Sequence, residues 1–264
     1  MLQITGLKKV FNPGTINEKV ALKGVDLTLN PGDFVTVIGG NGAGKSTLLN
    51  SVAGVFPVDA GRIVLDGQDV TRLPEHKRAK YLGRVFQDPM MGTAADMNIE
   101  ENLALAYRRG QSRGLKWGVT GAEREKYRAI LSQLELGLEN RMTDKVGLLS
   151  GGQRQALTLV MATLKKPKLL LLDEHTAALD PKTAEKVLRL TELLIAEDHL
   201  TAMMVTHNMS DAIRLGNKLI MMNEGNVAVK IEGERKHGLQ REDLVALFES
   251  ASGGKLENDR MLLS

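Results

Sequence analysis

Residues 34–47 have the sequence Phe34-Val35-Thr36-Val37-Ile38-Gly39-Gly40-Asn41-Gly42-Ala43-Gly44-Lys45-Ser46-Thr47. The segment before the first glycine is apolar or β-branched throughout, which predicts a buried strand. Gly39 to Ser46 match the pattern G-x-x-x-x-G-K-[ST], and a helix is predicted from about Lys45 to Ala53. A glycine-rich loop between a strand and a helix is the context in which this pattern binds phosphate. The stretch therefore predicts an α/β fold with a phosphate-binding loop.

The glycines of this loop let the backbone wrap closely around phosphate groups. Successive N–H groups, together with the N-terminus of the following helix, then point at the bound anion. In this pattern Lys45 reaches the β- and γ-phosphates, and the Ser46 hydroxyl is a ligand of Mg²⁺. We therefore predict a nucleotide site with Mg²⁺, and a glycine-rich turn without a ligand is the alternative.

A second glycine-rich element, Leu149-Ser150-Gly151-Gly152-Gln153, lies shortly before the apolar run that ends in Asp173-Glu174. Two adjacent glycines that open a helix expose N–H groups at its positive end, and such a helix end attracts anions. The chain thus has two predicted phosphate-binding surfaces far apart in sequence. We predict that they meet across a dimer, with ATP between them.

Two predicted strands end in side chains suited to chemistry. The continuous apolar run Leu169–Leu172 is typical of a central parallel strand, and Asp173 and Glu174 follow it at the end where ligands bind such sheets. We predict that Asp173 holds Mg²⁺ through water and that Glu174 polarises an attacking water. An acidic pair that merely ends a strand in solvent is the alternative. His207 follows the predicted strand Thr201–Thr206 and is expected near the γ-phosphate, although a lone histidine is more often structural.

Two further side chains are candidates for contact with the nucleotide. Gln87 lies where the α/β core passes into a helical region, and its neutral amide can contact Mg²⁺ or water. Phe11 lies on a predicted loop upstream, where an aromatic face can stack on adenine. Core packing is an equally good interpretation of Phe11.

The chain is predicted to form one α/β domain, residues 1–250, with a helical insertion. Hydrophobic periodicity assigns 1–87 and 167–250 to the core and about 88–166 to a helical subdomain. Within that subdomain, Thr120-Gly121-Ala122-Glu123 predicts a capping box. Asp180-Pro181 predicts the start of a helix, with Asp180 as its N-cap. The sheet is expected to be mostly parallel with some antiparallel β elements, and residues 251–264 are expected to form a frayed tail.

The composition excludes several classes of function. The formal net charge of +3 is spread along the chain and aromatic residues make up only 3% of it, so no nucleic-acid partner is expected. Cysteine is absent, which excludes disulfides and thiolate metal sites. No apolar run is long enough to cross a bilayer, and the N-terminal stretch shows no secretory signal pattern. We therefore expect an intracellular protein that is not itself a channel.

Taken together and in order, these elements resemble the nucleotide-binding subunit of ATP-binding cassette (ABC) transporters, from Phe11 to about Ile231. The resemblance implies a P-loop NTPase core that binds ATP and Mg²⁺. It implies that Phe11 stacks on adenine and that the Walker A loop consists of Gly39, Gly40, Asn41, Gly42, Ala43, Gly44, Lys45 and Ser46, with Thr47 beside it. It further implies a Q-loop at Gln87 and the family signature at Leu149 to Gln153. The Walker B strand then ends at Asp173, followed by a catalytic Glu174, a D-loop at Asp180 and a switch His207.

In this resemblance, Ser46, Gln87 and Asp173 serve Mg²⁺, and Gln87 and His207 assist Glu174 in catalysis. Ser150, Gly151, Gly152, Gln153 and Asp180 contact the ATP held by a second copy. The chain departs from the family pattern at two places. His175 stands where proline is usual after the glutamate, and the D-loop begins Ala178-Leu179-Asp180 where Ser-Ala-Leu-Asp is commoner. Neither change removes a charged or phosphate-contacting group, so an active ATPase is expected.

The resemblance also implies partners and a location. Two copies pack head to tail around two ATP molecules and drive a separate transmembrane permease at the cytoplasmic face of the membrane. The segment Met91–Leu105 and the region of Trp117 resemble importers of amino acids or related small solutes, which use an extracytoplasmic solute-binding protein. A soluble ABC ATPase that acts as an assembly scaffold, as in iron–sulfur cluster assembly, is the alternative.

Overall fold

The computed structural model describes residues 1–111 and 118–252. Within these ranges the strands are β1 (Leu2–Phe11), β2 (Lys19–Leu29), β3 (Phe34–Ile38), β4 (Ala60–Leu65), β5 (Gln68–Asp69), β6 (Leu82–Val85), β7 (Leu169–Asp173), β8 (Ala202–Val205), β9 (Lys218–Asn223) and β10 (Asn226–Glu232). The α-helices are α1 (Lys45–Ala53), α2 (Glu75–Arg78), α3 (Ile99–Tyr107), α4 (Gly121–Ser132), α5 (Gly151–Thr163), α6 (Pro181–Glu197), α7 (Met209–Arg214), α8 (Glu234–His237) and α9 (Arg241–Ser252). Short 3₁₀ helices cover Pro89–Gly92, Leu138–Asn140 and Val146–Leu148.

The larger sheet has six strands in the order β10-β9-β3-β8-β7-β6. Its strands are parallel except for β10, which pairs antiparallel with β9. Every residue of β3 is buried, because layers cover both faces of the sheet there, and this explains its uninterrupted apolar sequence. Because β3, β7 and β8 run the same way, the segments that follow them emerge at one edge of the sheet. The predicted mostly parallel sheet is confirmed.

The smaller sheet is antiparallel, with the order β2-β1-β4-β5. Side chains of this sheet, of α1 and of the parallel sheet form one hydrophobic cluster, in which Leu48 and Leu49 of α1 are fully buried. The sequence analysis did not predict β1. Its alternation of buried and exposed residues breaks after Ile4, where a register shift brings Leu7 back to the buried face.

The regular elements described between β6 and β7 are helices, as the sequence predicts. They form a hydrophobic cluster of their own, which includes Leu103 of α3, Tyr127 of α4 and Leu157 of α5. The predicted capping box is present at α4: the Thr120 hydroxyl accepts from the Glu123 N–H, and the Glu123 carboxylate accepts from the Thr120 N–H. The boundaries of the helical subdomain stay a prediction.

The C-terminal part contains one of the expected antiparallel β elements. Strands β9 and β10 form a hairpin whose turn residues Glu224 and Gly225 have φ of 44° and 80°, as a two-residue turn between twisted strands requires. Helix α9 extends to Ser252, so the predicted tail begins within a helix, and its remainder, 253–264, lies outside the described residues. Trp117 also lies outside them. None of the helices in the described ranges has the length and apolar character needed to cross a membrane.

Candidate functional site

The loop after β3 depends on glycine at two positions where it meets other backbone. Gly39 has φ 148°, and a Cβ there would lie 2.2 Å from the Met222 carbonyl oxygen. Gly44 has φ 103°, and a Cβ there would lie 2.7 Å from the Ala21 carbonyl oxygen. Side chains are excluded from both positions, so the loop can lie tightly against β2 and β9. The N-terminus of α1 begins directly after Gly44.

Lys45 is folded back over this loop. Its side chain is buried, and Nζ donates to the carbonyl oxygens of Gly39 at 2.6 Å and Gly40 at 3.1 Å. The loop borders a cavity of about 250 Å³, lined by Phe11, Lys19, Ala21, Asn41, Gly42, Ala43, Gly44, Lys45, Ser46, Thr47 and Glu174. The positive charge of Lys45, the helix N-terminus and the glycine backbone therefore converge on one concave site suited to polyphosphate.

Asp173 and Glu174 lie at the end of β7, at the same edge of the sheet as the phosphate loop. Burial raises the pKa of Asp173, and the Arg84 guanidinium, 4.0 Å from Asp173 Oδ2, acts in the opposite direction together with Lys45. Nearby cations favour the ionised carboxylate, which is the form that can hold a metal ion. Both acidic side chains are partly buried at this edge, so they do not form a solvent-exposed strand end.

Glu174 is held in an unusual backbone conformation. Its φ is 43°, a left-handed value that is uncommon outside glycine, and its N–H donates to the Val205 carbonyl oxygen at 3.0 Å. Its carboxylate oxygen Oε2 lies 3.6 Å from His207 Nδ1. The structure thus brings Glu174 and His207 together, as the sequence predicts, and only Glu174 of the two lines the phosphate cavity.

Two predicted contacts with the nucleotide have a different placement. Phe11 is the last residue of β1 and not part of a loop, so the predicted loop is wrong, because pairing with Lys19 of β2 extends the strand. Its ring packs edge-on against Phe56, with centroids 5.2 Å apart, and also lines the phosphate cavity. Adenine stacking by Phe11 stays a prediction. Gln87 is exposed in the segment after β6, outside the residues that line the cavity.

The second glycine-rich element forms the start of α5. The Ser150 hydroxyl accepts from the Gln153 N–H, and the Gln153 carbonyl oxygen Oε1 accepts from the Ser150 N–H, which makes a capping box. A Cβ at Gly152 would lie 2.1 Å from Thr183 Cγ2, so this glycine also lets α5 pack against α6. The Gln153 amide nitrogen donates to the Leu136 carbonyl oxygen at 3.2 Å. The Gln153 side chain is therefore engaged within its own chain.

Ser150, Gly152 and Gln153 line a cavity of about 510 Å³ between the helical region and α6, and this cavity shares no lining residue with the phosphate cavity. The N-cap Asp180 of α6 is exposed, and its carboxylate accepts from the Thr183 N–H at 3.1 Å. The signature element of the chain thus does not complete the chain's own phosphate site.

The sequence analysis missed a polar network behind the phosphate loop. Arg84 donates to Asn50 Oδ1 at 2.6 Å, and the Asn50 amide donates to the Ser46 carbonyl oxygen at 2.8 Å. The Arg84 guanidinium also lies 4.4 Å from the centre of the Phe86 ring. This network connects α1, the end of β7 and the segment that carries Gln87. An arginine inside the short apolar strand Leu82–Val85 is the sequence signal that could have revealed it.

Oxygen donors for a divalent cation are present at this edge of the sheet. Ser46 and Asp173 offer a hydroxyl and a carboxylate, which suit Mg²⁺ bound by few protein ligands and by nucleotide phosphates. Among the residues that the structure describes, no group of three or more His, Cys, Asp or Glu side chains could hold a metal on its own. The donor set fits a cation that arrives with a nucleotide.

Comparisons with known proteins agree on one family. The family described as ABC transporter matches residues 22–177. A tyrosine transport ATP-binding protein of Clostridioides difficile (strain R20291) is 42% identical over 256 residues, which cover 95% of this chain and 100% of that protein. The spermidine/putrescine import ATP-binding protein PotA of Haemophilus influenzae (strain ATCC 51907 / DSM 11121 / KW20 / Rd) is 32% identical, and the match covers 86% of this chain and 57% of PotA.

Solved structures give the same result. The dimeric post-hydrolysis structure of the ATP-binding cassette MJ0796 bound to ADP and Pi has a TM-score of 0.74 and 31% identity, and it covers 88% of this chain and 98% of that chain. The ADP conformation of MJ1267, an ATP-binding cassette of an ABC transporter, has a TM-score of 0.75 and 25% identity, covering 94% of this chain and 98% of that chain.

The parallel sheet, the phosphate loop and the acidic strand end together define a P-loop NTPase. The chain belongs to the ABC transporter family, as an ATP-binding cassette that hydrolyses ATP. The resemblance, the fold class and the ATPase activity expected from the sequence are confirmed. The roles of single residues in the ATPase cycle stay predictions.

Proposed function

We propose that this chain is the ATPase subunit of an importer, and that two copies close head to tail around two ATP molecules to drive a separate transmembrane permease. The proposed dimer rests on the separation of the two predicted phosphate-binding elements of the chain. The signature block, Leu149 to Gln153, and the phosphate loop line different cavities. We therefore expect the N–H groups of Gly151 and Gly152 to bind the ATP of a second copy. The similar cassette MJ0796 has a dimeric structure, which supports a dimer of this chain.

Each residue at this edge of the sheet has a separate role in ATP hydrolysis. Glu174 accepts a proton from the attacking water, and His207, whose Nδ1 lies 3.6 Å from Glu174 Oε2, orients that carboxylate towards the γ-phosphate. Lys45 and the loop N–H groups stabilise charge on the phosphates. Ser46 and Asp173, with Gln87 on closure, would hold Mg²⁺, which supplies charge neutralisation when bound. Phe11 and Thr47 complete the nucleotide contacts, and Asp180 and Ser150 extend them across the dimer.

Substitution of Glu174 tests the ATP-gated dimer. Glu174→Gln keeps the shape of the side chain but removes the base, so we expect ATP to bind and the closed dimer to accumulate. Light scattering after gel filtration with ATP should give the mass of two chains, while phosphate release falls at least about a hundredfold. Glu125→Gln, the same change on the exposed face of α4, should leave both measurements unchanged. Wild-type turnover in Glu174→Gln would contradict the assignment.

We infer that the imported solute is an amino acid, with tyrosine as the first candidate. The supporting observation is the 42% identity to a tyrosine transport ATP-binding protein along its entire length, whereas PotA is matched over only 57% of its own. The same observation favours transport over an assembly scaffold. An extracytoplasmic solute-binding protein delivers the solute to the permease at the other face of the membrane.

Co-purification from membranes of the host tests the partner and the solute together. A membrane protein with several spanning helices should co-purify with the chain. In reconstituted vesicles, tyrosine with its solute-binding protein should stimulate ATP hydrolysis, whereas spermidine should not. Recovery with assembly-scaffold proteins alone, without any membrane subunit, would contradict the transporter function. Stimulation by spermidine in place of tyrosine would contradict only the solute.

A further inference from the structure

The residue after Glu174 is a buried histidine with one hydrogen bond. His175 is 1% exposed, and its Nε2 lies 3.0 Å from the Thr191 hydroxyl oxygen of α6. Its Nδ1 is buried without a hydrogen-bond partner. The ring is therefore hydrogen-bonded to α6 through Nε2 and has no second hydrogen bond.

The direction of this hydrogen bond follows from the donors available. The Thr191 hydroxyl has one hydrogen, and it donates that hydrogen to the Val187 carbonyl oxygen at 2.8 Å. Thr191 therefore accepts from His175, and the His175 Nε2 atom carries the hydrogen that it donates. In the other tautomer, Nε2 would have no hydrogen to donate to Thr191, and the Nδ1–H group would be buried without a partner. The surroundings thus select one tautomer.

The turn that carries Glu174 is held from two elements. The Glu174 N–H donates to the Val205 carbonyl oxygen of β8, and within the turn the Ala177 N–H donates to the Glu174 carbonyl oxygen at 3.0 Å. The hydrogen bond of His175 joins the same turn to α6. Glu174 itself has a φ of 43°, a backbone conformation that persists only where the surroundings enforce it. Proline, which is usual at this position in the family, has no side-chain N–H that could reach α6.

We propose that His175 is a positioning residue, whose Nε2–H hydrogen bond to Thr191 fixes the Glu174 backbone so that the carboxylate points at the attacking water. The proposal rests on the proposed catalytic role of Glu174. Because the N-cap of α6, Asp180, lies on the face proposed to meet the second copy, the same bond couples the orientation of Glu174 to α6. The side chain of His175 does not line the phosphate cavity and takes no part in the chemistry.

The chain offers a matched control for the loss of this bond. Thr163 of α5 is also a buried threonine, and its hydroxyl also donates to a carbonyl of its own helix, Leu159, at 2.9 Å. Thr191→Val and Thr163→Val therefore remove the same kind of intrahelical bond, but only Thr191→Val removes the partner of His175. His175→Gln retains an amide donor near the position of Nε2, whereas His175→Leu has none.

Steady-state ATP hydrolysis by the full chain distinguishes positioning from a structural role. We expect Thr191→Val and His175→Leu to lower kcat about tenfold, with KM for ATP within about twofold of wild type, because displacement of the base affects the reaction more than binding. Thr163→Val should retain the wild-type kcat, and His175→Gln should recover most of the loss. The double variant His175→Leu/Thr191→Val should lose no more than either single variant, because both remove one interaction.

The proposal is overturned if Thr191→Val keeps the wild-type kcat, if Thr163→Val lowers kcat equally, or if the two losses add in the double variant. Should His175→Leu fail to fold, the comparison of Thr191→Val with Thr163→Val still decides. The Glu174→Gln variant distinguishes a failure of the positioning role from a failure of the proposed function. If it is inactive while Thr191→Val is fully active, only the positioning role is wrong. If Glu174→Gln turns over like wild type, the proposed function itself fails.

Discussion

Single residues set the geometry of the phosphate loop. Gly44 combines a positive φ with a direct approach to the Ala21 backbone, so both its conformation and its lack of a side chain are required. Lys45, the next residue, is bonded into the loop through the carbonyls of Gly39 and Gly40. Contacts within the chain therefore hold the loop in its observed shape.

The variant Gly44→Ala tests this requirement. A Cβ at 2.7 Å from a backbone oxygen forces the loop to move, and the left-handed conformation adds strain, so we expect a loss of about 1–3 kcal/mol in unfolding free energy. Denaturant titration measures this loss, and binding of a fluorescent ATP analogue should weaken at least about tenfold. Gly121→Ala, where a Cβ would meet nothing within 4 Å, is the control and should change neither quantity. Equal behaviour of the two variants would contradict the packing requirement.

At the scale of elements, two helices begin with the same cap and have different proposed roles. Thr120 starts α4 and Ser150 starts α5, each with a reciprocal capping box. Only α5 presents adjacent glycines at its first turn, and only α5 packs its first turn against Thr183 of α6. The cap of α5 therefore serves the stability of the helix and, by our proposal, the ATP of the partner copy.

Alanine substitution at both caps separates these contributions. Thr120→Ala and Ser150→Ala should each lower the unfolding free energy by about 1 kcal/mol, because each removes one N-cap hydrogen bond. Only Ser150→Ala should also lower ATP turnover, by about tenfold or more, because it removes a donor to the transferring phosphoryl group. Nucleotide affinity of the monomer should stay the same in both variants. A large loss of monomer affinity in Ser150→Ala would contradict its role across the dimer.

At the scale of the whole molecule, a buried lysine joins the C-terminal helices to the segment that follows α7. Lys236 of α8 is 1% exposed, and its ammonium donates to the Leu215 carbonyl oxygen and, at 2.9 Å, to that of Gly216. These carbonyls follow α7, which begins just after His207. Burial lowers the pKa of Lys236 to about 8. The ammonium thus pairs the carbonyl oxygens that follow α7, and its burial costs desolvation free energy.

This cost predicts an unusual pH dependence of stability. Between pH 8 and 10.5 the unfolded lysine still holds its proton while the folded one has lost it, so the unfolded state binds more protons and stability rises with pH. Across this window the unfolding free energy of wild type should rise by on the order of 1–3 kcal/mol relative to that of Lys236→Met. Thermal unfolding at a series of pH values measures the difference. Lys77→Met, at an exposed position, should keep the wild-type dependence, and parallel curves for wild type and Lys236→Met would contradict the prediction.

Much of this architecture could be predicted because its signals are local. Helix α1 has the predicted bounds, and the caps at Thr120 and Asp180 are present, since capping depends on residues three positions apart. Strand β1 was missed because a bulge interrupts its alternation. The loop expected at Phe11 is a strand end because pairing with Lys19 of β2 extends it. Pairing with another strand leaves no pattern within the strand's own short window of sequence.

The sequence by itself determined the phosphate loop, the acidic strand end and the signature block, because each is a short run whose residue types dictate local chemistry. Only the tertiary structure decided which of these come together. Parallel pairing of β3, β7 and β8 brings Lys45, Asp173 and Glu174 to one edge, while α5 carries Ser150 to another cavity. Burial likewise gave His175 its one partner, Thr191. These contacts join residues far apart in the chain, so their energies depend on packing and not on local sequence.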